Sequence, residues 1–166
     1  MKTAEARAPD GALKLDDYLP YRLSVAANAV SDLIASAYQS RFGLSIPQWR
    51  LMAVLGEDGP MTPQALSTRT VMDKVTVSRA AAALHERKLV EREPNATDGR
   101  SHRVGLTRTG LDLYAQIAPL ALAHEARLLE TFTPFERATM QNLLRRLQAS
   151  ADEAREGRPG GHPSPI

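Results

Sequence analysis

Residues 72–107 decide the fold, and they read MDKVTVSRAAAALHERKLVEREPNATDGRSHRVGLT. The first part places apolar residues at positions i, i+4 and i+7, which predicts a helix with a buried stripe formed by Val77, Ala81 and Leu84. Two segments that alternate apolar and polar residues follow, 89–93 and 103–107, and turn-forming residues separate them. The stretch therefore predicts a helix that leads directly into a β-hairpin.

The outward face of this predicted helix carries a mixture of polar and methyl-bearing side chains near its N-terminus. They are Val75, Thr76, Ser78 and Arg79. Hydroxyls, a guanidinium and a methyl-bearing side chain are the groups that read base edges and the thymine methyl in the major groove of DNA. An ordinary solvated amphipathic helix has the same pattern, so the neighbouring segments must decide between the two interpretations.

The segments on both sides of this helix favour nucleic-acid binding. Upstream, a capping box of Ser45 and Gln48 opens one helix, and Thr62 opens a short one that breaks before residue 74. A helix, a short turn and a second helix form a DNA-binding arrangement. Downstream, we expect Arg100 at the hairpin tip to enter the minor groove, and Asp98 to hold its guanidinium by an ion pair.

Positive charge collects in the same part of the chain. The window from Arg69 to Arg108 holds nine Lys or Arg and five Asp or Glu, a surplus of four, whereas the whole chain has a net charge of +2. A nucleic-acid partner would be met here. A solvated surface of mixed charge gives a similar count, so the charge alone does not distinguish the two.

The ends of the chain predict long helices with apolar seams. We expect the first helix to begin at Asp16 or Asp17, with a seam that alternates steps of four and three and consists of Leu19, Leu23, Ala26, Val30, Leu33 and Ala37. This seam is either the buried face of a monomeric bundle or a dimer seam. A helix from 108 to 131 and another that Thr133 caps complete the chain.

The predicted fold is mainly α with a small β-wing, a winged helix-turn-helix plus a helical dimerisation layer from the N- and C-terminal helices. We expect these segments: a disordered tail over 1–12, a dimerisation helix over 13–44, the winged helix-turn-helix over 45–107, dimerisation helices over 108–152 and a disordered tail over 153–166.

Several classes of protein are disfavoured by what the sequence lacks. Cysteine is absent, which excludes thiol redox sensing. There is no apolar run of 18 residues and no apolar N-terminal stretch of a signal peptide, so we expect a cytoplasmic protein with no membrane partner. The four histidines lack metal-ligand spacing, and no phosphate loop or catalytic motif occurs, so we expect neither an enzyme nor a cofactor.

Four segments taken together resemble the MarR family of winged helix-turn-helix transcriptional regulators. They are Met72–Arg79 after Leu66, Leu84–Arg92, Pro94–Arg100 and Leu106–Gly110. Two departures stand out: Lys88 replaces the usual glycine after the recognition helix, and Val75 replaces a residue that is usually polar. The first makes the left-handed cap strained or rebuilt, and the second makes a base contact at that position apolar.

The resemblance implies a homodimer that binds double-stranded DNA at a pseudo-palindromic operator, as a repressor that a small, often aromatic, effector releases. Lys74 and Arg92 then join the expected DNA-binding set. The effector positions that the resemblance implies are Ser24, Asn28, Trp49 and Arg50. Each has an alternative interpretation: Ser24 and Asn28 as solvent-facing residues, Trp49 as a core residue, and Arg50 as the partner of a nearby acid. The alternative function is a constitutive architectural or protein-interacting winged-helix protein without an effector.

Overall fold

The computed structural model describes residues 13–94 and 102–157. In these parts a short 3-10 helix at Leu15–Asp17 is followed by six α-helices and two strands. They are α1 Leu19–Phe42, α2 Ile46–Asp58, α3 Pro63–Thr70, α4 Lys74–Glu86, β1 Val90–Pro94, β2 His102–Leu106, α5 Arg108–Leu128 and α6 Pro134–Glu156. The predicted fold class, mainly α with a small β-wing, is confirmed. The chain divides into two compact units between His124 and Glu125.

Side-chain caps fix where the central helices begin. The Ser45 hydroxyl accepts from the Gln48 amide at 3.4 Å, and the Gln48 side chain accepts from the Ser45 amide at 2.8 Å, which is the predicted capping box of α2. The Thr62 hydroxyl accepts from the Ala65 amide at 3.2 Å at the start of α3. Because these caps are local in sequence, the two helix starts were predictable from the sequence.

The core of the first unit lies among α2, α3, α4 and the hairpin. Leu51, Met52, Leu66 and Leu84 are fully buried there. The buried stripe of α4 is Val77, Ala80 and Leu84, whereas the predicted Ala81 is only half-buried. The difference arises because α4 packs against both α2 and α3, which turns the stripe toward Ala80.

The two strands pair antiparallel with the register Val90 to Leu106, Arg92 to Val104 and Pro94 to His102. The loop after α2 adds a third segment, because Met61 and Val104 exchange both backbone hydrogen bonds, at 2.9 and 2.7 Å. The loop after α2 is thereby joined to the hairpin at the middle of β2.

The long terminal helices differ from the prediction at their ends. Helix α1 begins at Leu19 with Tyr18 as N-cap, not at Asp16 or Asp17, because both aspartates lie in the preceding 3-10 turn. Helix α5 ends at Leu128 rather than near residue 131. Helix α6 runs on to Glu156, past the expected boundary at 152, because no breaker occurs before Gly157. Within the described residues, no helix has the length and apolarity needed to cross a bilayer.

Candidate nucleic-acid interface

The N-terminal half of α4 presents most of the predicted base-reading residues to solvent. Lys74, Val75, Ser78 and Arg79 are exposed, while Thr76 is half-buried. The Thr76 hydroxyl donates to the Asp73 carboxylate at 2.6 Å, and the Thr76 amide donates to the same carboxylate at 2.8 Å. The hydroxyl proton of Thr76 is therefore engaged in capping α4, and its oxygen and methyl group remain for an outside partner.

The cap residue sets the charge at the start of α4. The hydrogen bond from the Thr76 hydroxyl, together with its amide, holds the pKa of the Asp73 carboxyl below its ordinary value. The carboxylate is therefore ionised at neutral pH and already accepts from the Thr76 amide in the first turn of the helix. The negative charge of Asp73 disfavours a phosphate group at this end of α4, so the cationic side chains around the helix are the better phosphate ligands.

A groove of about 430 Å³ lies between α3, α4 and the hairpin. Its apolar lining includes Leu66, Val77 and Val104. Its polar and cationic lining consists of Gln64, Lys74, Ser78, Arg92 and His102. Among the described residues no acidic side chain lines the groove, and neither Lys74 nor Arg92 takes part in an ion pair there. The described lining of the groove therefore carries positive charge from Lys74 and Arg92, next to the first turn of α4.

The groove unites three predicted DNA-binding residues, Lys74, Ser78 and Arg92, with two that the sequence analysis missed, Gln64 and His102. For His102 a signal was present. Residues two apart on a strand point to the same face, and the pairing of Arg92 with Val104 puts Arg92 and His102 on one face of the hairpin. Gln64 joins them only through the packing of α3, which no local pattern in the sequence reports.

The second residue after α4 adopts the left-handed conformation in spite of its side chain. Lys88 has φ of 56°, and the Lys88 and Leu89 amides donate to the carbonyls of His85 and Leu84, both at 2.9 Å. This is the bonding pattern of a glycine-terminated helix end, so the cap is retained with lysine in the strained position. Val71, in the turn between α3 and α4, is also left-handed, with φ of 54°.

The four predicted effector residues fall into two separate pairs. Ser24 and Asn28 are exposed on α1, and Trp49 and Arg50 lie in the first turns of α2. Trp49 packs against Tyr38 of α1. Tyr38 follows Asn28 by ten residues, which is a rise of about 15 Å along α1 and separates the two pairs. None of the four lines the groove.

Trp49 belongs to a column of three aromatic rings. Its ring centroid lies 5.5 Å from that of Tyr38 on α1 and 5.9 Å from that of Tyr114 on α5. Burial raises the pKa of Tyr38 and outweighs the charge of Arg50, which lowers it. Trp49 is half-buried and packs against the core cluster.

Two of the predicted site residues, Asp98 and Arg100, lie outside the described residues. The same is true of the expected N-terminal tail over 1–12 and of residues 158–166 of the expected C-terminal tail.

A helix-turn-helix whose second helix continues into a β-hairpin defines a winged helix-turn-helix protein. The family model described as MarR family matches residues 42–101. A MarR family transcriptional regulator from Silicibacter pomeroyi DSS is 30% identical, with 82% of this chain and 91% of that chain covered and a TM-score of 0.72. A MarR/EmrR family transcriptional regulator from Acinetobacter sp. ADP1 is 28% identical, with 85% and 99% covered and a TM-score of 0.78.

The chain thus belongs to the MarR family of transcriptional regulators. Among characterised relatives, the HTH-type transcriptional repressor IacR of Pseudomonas putida is 30% identical over 71 residues, which make up 43% of this chain. The match spans 42% of the length of IacR. The similarity to IacR therefore covers less than half of either chain.

Proposed function

We propose that this protein is a transcriptional repressor that binds a pseudo-palindromic DNA operator as a homodimer and is released by a small aromatic effector. One observation carries the proposal. Helix α4 exposes Val75, Ser78 and Arg79 in its first turns, and Ser78 also lines the groove that Lys74 and Arg92 make cationic. Base-reading groups and phosphate-binding groups therefore lie together on one surface.

The two kinds of residue have different roles in this proposal. Arg79 and Ser78 read base edges in the major groove, and Val75 contacts a thymine methyl, since its side chain is 57% exposed and apolar. Lys74 and Arg92 bind phosphate groups and fix the register of α4 on the duplex. The predicted minor-groove contact of Arg100, with Asp98, is part of the same proposal.

The homodimer is supported by apolar surface on both long terminal helices. In α1, Leu19, Val25 and Leu33 are 57%, 42% and 42% exposed. In α6, no residue is buried, and Leu143 and Leu144 are 53% and 49% exposed. A second copy that covers these faces would present two α4 helices one helical turn of DNA apart, roughly 34 Å. We therefore assign dimerisation to residues 13–44 and 108–152, and DNA binding to residues 45–107.

The effector site is proposed between the dimer helices and the winged helix. Ser24 and Asn28 lie on α1 far from Tyr38, the α1 residue that Trp49 packs against. We therefore propose that the second protomer brings the two pairs together in one enclosed site. BpsR of Bordetella bronchiseptica, which is 22% identical with a TM-score of 0.75 and resembles this chain in fold, has its DNA binding regulated by 6-hydroxynicotinic acid. Aromatic acids are accordingly the first compounds to test.

Capture of genomic DNA by the full-length protein, followed by salt titration on the captured sequence, tests the proposal. Lys74 and Arg92 from two protomers contribute four phosphate-binding cations, so log K should fall against log salt with a slope of about −3.6 or steeper. Release of that DNA by an aromatic acid supports the effector, and binding that no metabolite alters supports the constitutive alternative. A flat salt response would contradict DNA as the partner.

A further inference from the structure

The guanidinium of Arg87, the residue directly after α4, reaches the end of α1. Nη1 donates to the Gly43 carbonyl at 3.0 Å, and Nη2 donates to the Phe42 carbonyl at 2.8 Å. Helix α4 otherwise packs mainly against α2 and α3. The two hydrogen bonds are therefore a direct connection between α4 and α1, whose residues are more than 40 positions apart in the sequence.

The end of α1 offers the kind of acceptor that a guanidinium binds well. The helix ends at Phe42, and Gly43 follows in the left-handed conformation with φ of 62°. The last carbonyls of a helix lack intrahelical donors and carry the negative end of the helix dipole. Because the guanidinium is planar and uses two nitrogens, it fixes the direction of approach as well as the distance.

The backbone around Arg87 is held on its other side as well. The Thr107 hydroxyl donates to the Lys88 carbonyl at 2.7 Å and accepts from the Gly110 amide at 3.0 Å. A Cβ atom on Gly110 would lie 2.0 Å from the Leu89 carbonyl oxygen, so the start of α5 packs closely against the backbone at Leu89. The chain segment that carries Arg87 is therefore held by contacts with the start of α5 as well as by the hydrogen bonds to the end of α1.

We infer that Arg87 is a positioning residue that holds α4 in a fixed orientation relative to α1, and thereby sets the separation of the two α4 helices in the dimer. The inference rests on the proposed function, since it takes α1 as part of the dimer interface. Arg87 itself need not contact DNA, because its guanidinium is engaged by the carbonyls of α1.

The absence of cysteine makes a direct measurement possible. Ala82 is exposed on α4, so a single Ala82→Cys substitution in the full-length chain accepts one nitroxide label per protomer. Double electron–electron resonance then reports the distribution of distances between the two labels. The background variant should give one narrow peak. Addition of Arg87→Ala should at least double the width of the distance peak. Circular dichroism is the control that this variant remains folded.

Two further variants separate positioning from a general loss of charge. Arg87→Lys keeps the charge but replaces the planar fork with one ammonium, so its peak should have an intermediate width. Arg41→Ala is the matched control. The Arg41 guanidinium lies over the Phe42 ring, 5.2 Å from its centroid, whereas the side-chain hydrogen bonds to the Phe42 and Gly43 carbonyls come from Arg87. Its peak should keep the width of the background variant.

The outcomes distinguish this inference from the proposed function. A narrow peak that Arg87→Ala leaves unchanged overturns the positioning role and leaves the dimer intact. Equal broadening by Arg87→Ala and Arg41→Ala also overturns it, because any loss of charge near the end of α1 would then suffice. No dipolar signal in the background variant means that there is no dimer, which overturns the proposed function and this inference together.

Discussion

Helices α2 and α1 differ in how much of their apolar surface the chain itself covers. Helix α2 has 13 residues and buries four of them, Leu51, Met52, Val54 and Leu55. Helix α1 has 24 residues and buries only Ala35 and Tyr38, both in its C-terminal half. The winged region therefore buries apolar surface within itself, while the N-terminal half of α1 leaves apolar side chains exposed among the described residues, which is surface that the proposed dimer would cover.

The largest effect should come from truncation in the self-covered region. Leu66 is fully buried, so Leu66→Ala should lower the free energy of unfolding by about 2–5 kcal/mol. The loss should be the same at low and high protein concentration if it arises within one protomer. Urea denaturation at two concentrations measures both quantities. A loss below about 1 kcal/mol would mean that Leu66 is not in a tightly packed core.

A charge on the uncovered face of α6 should act on association instead. Leu144→Glu should weaken the dimer at least tenfold in sedimentation equilibrium, because a carboxylate at an apolar interface must be desolvated. Asn142→Glu is the control, since two residues along a helix place the same carboxylate on the other side. If the two variants associate equally well, this face of α6 is not the interface.

Relief of backbone strain after α4 should have a smaller and opposite effect. Lys88→Gly should raise the free energy of unfolding by about 0.5–1 kcal/mol, because glycine adopts the left-handed conformation without the penalty of a Cβ atom. Lys88→Ala removes the charge but keeps the Cβ atom, so it should give no gain. Thermal unfolding of the three proteins compares them, and equal stabilities would remove the argument for strain.

The smallest expected effect is the pH dependence of the α4 cap. The folded state lowers the pKa of Asp73, so its charge stabilises folding above the ordinary pKa of about 3.9 and ceases to do so as pH falls through the folded value. Asn also caps helices but does not titrate. The difference in Tm between the wild type and Asp73→Asn should therefore be present near neutral pH and shrink in acid. A difference independent of pH would contradict this assignment.

The sequence predicted what depends on short-range patterns. The caps at Ser45, Thr62 and Thr133, the order of α4 and the hairpin, and the exposure of Arg79 follow from residues at most a few positions apart. Helix periodicity and turn chemistry report these directly.

The sequence could not predict what depends on tertiary packing. The contact of Arg87 with Phe42 joins residues 45 positions apart, and the place of Gln64 beside Lys74 depends on how α3 packs. The left-handed conformation of Val71 was also missed, because a β-branched residue rarely adopts it and the surrounding turn imposes it here.

The central claim, that the exposed face of α4 reads DNA, is tested most directly by selection of binding sites from random DNA. The wild type should yield a pseudo-palindrome, and Arg79→Ala should lose preference at one or two positions of each half-site, since a bidentate contact between arginine and a base is worth about 1–3 kcal/mol. Arg41→Ala, which removes a guanidinium from α1, should yield the wild-type motif. An unchanged motif with Arg79→Ala would contradict the assignment of this face as the DNA-reading surface.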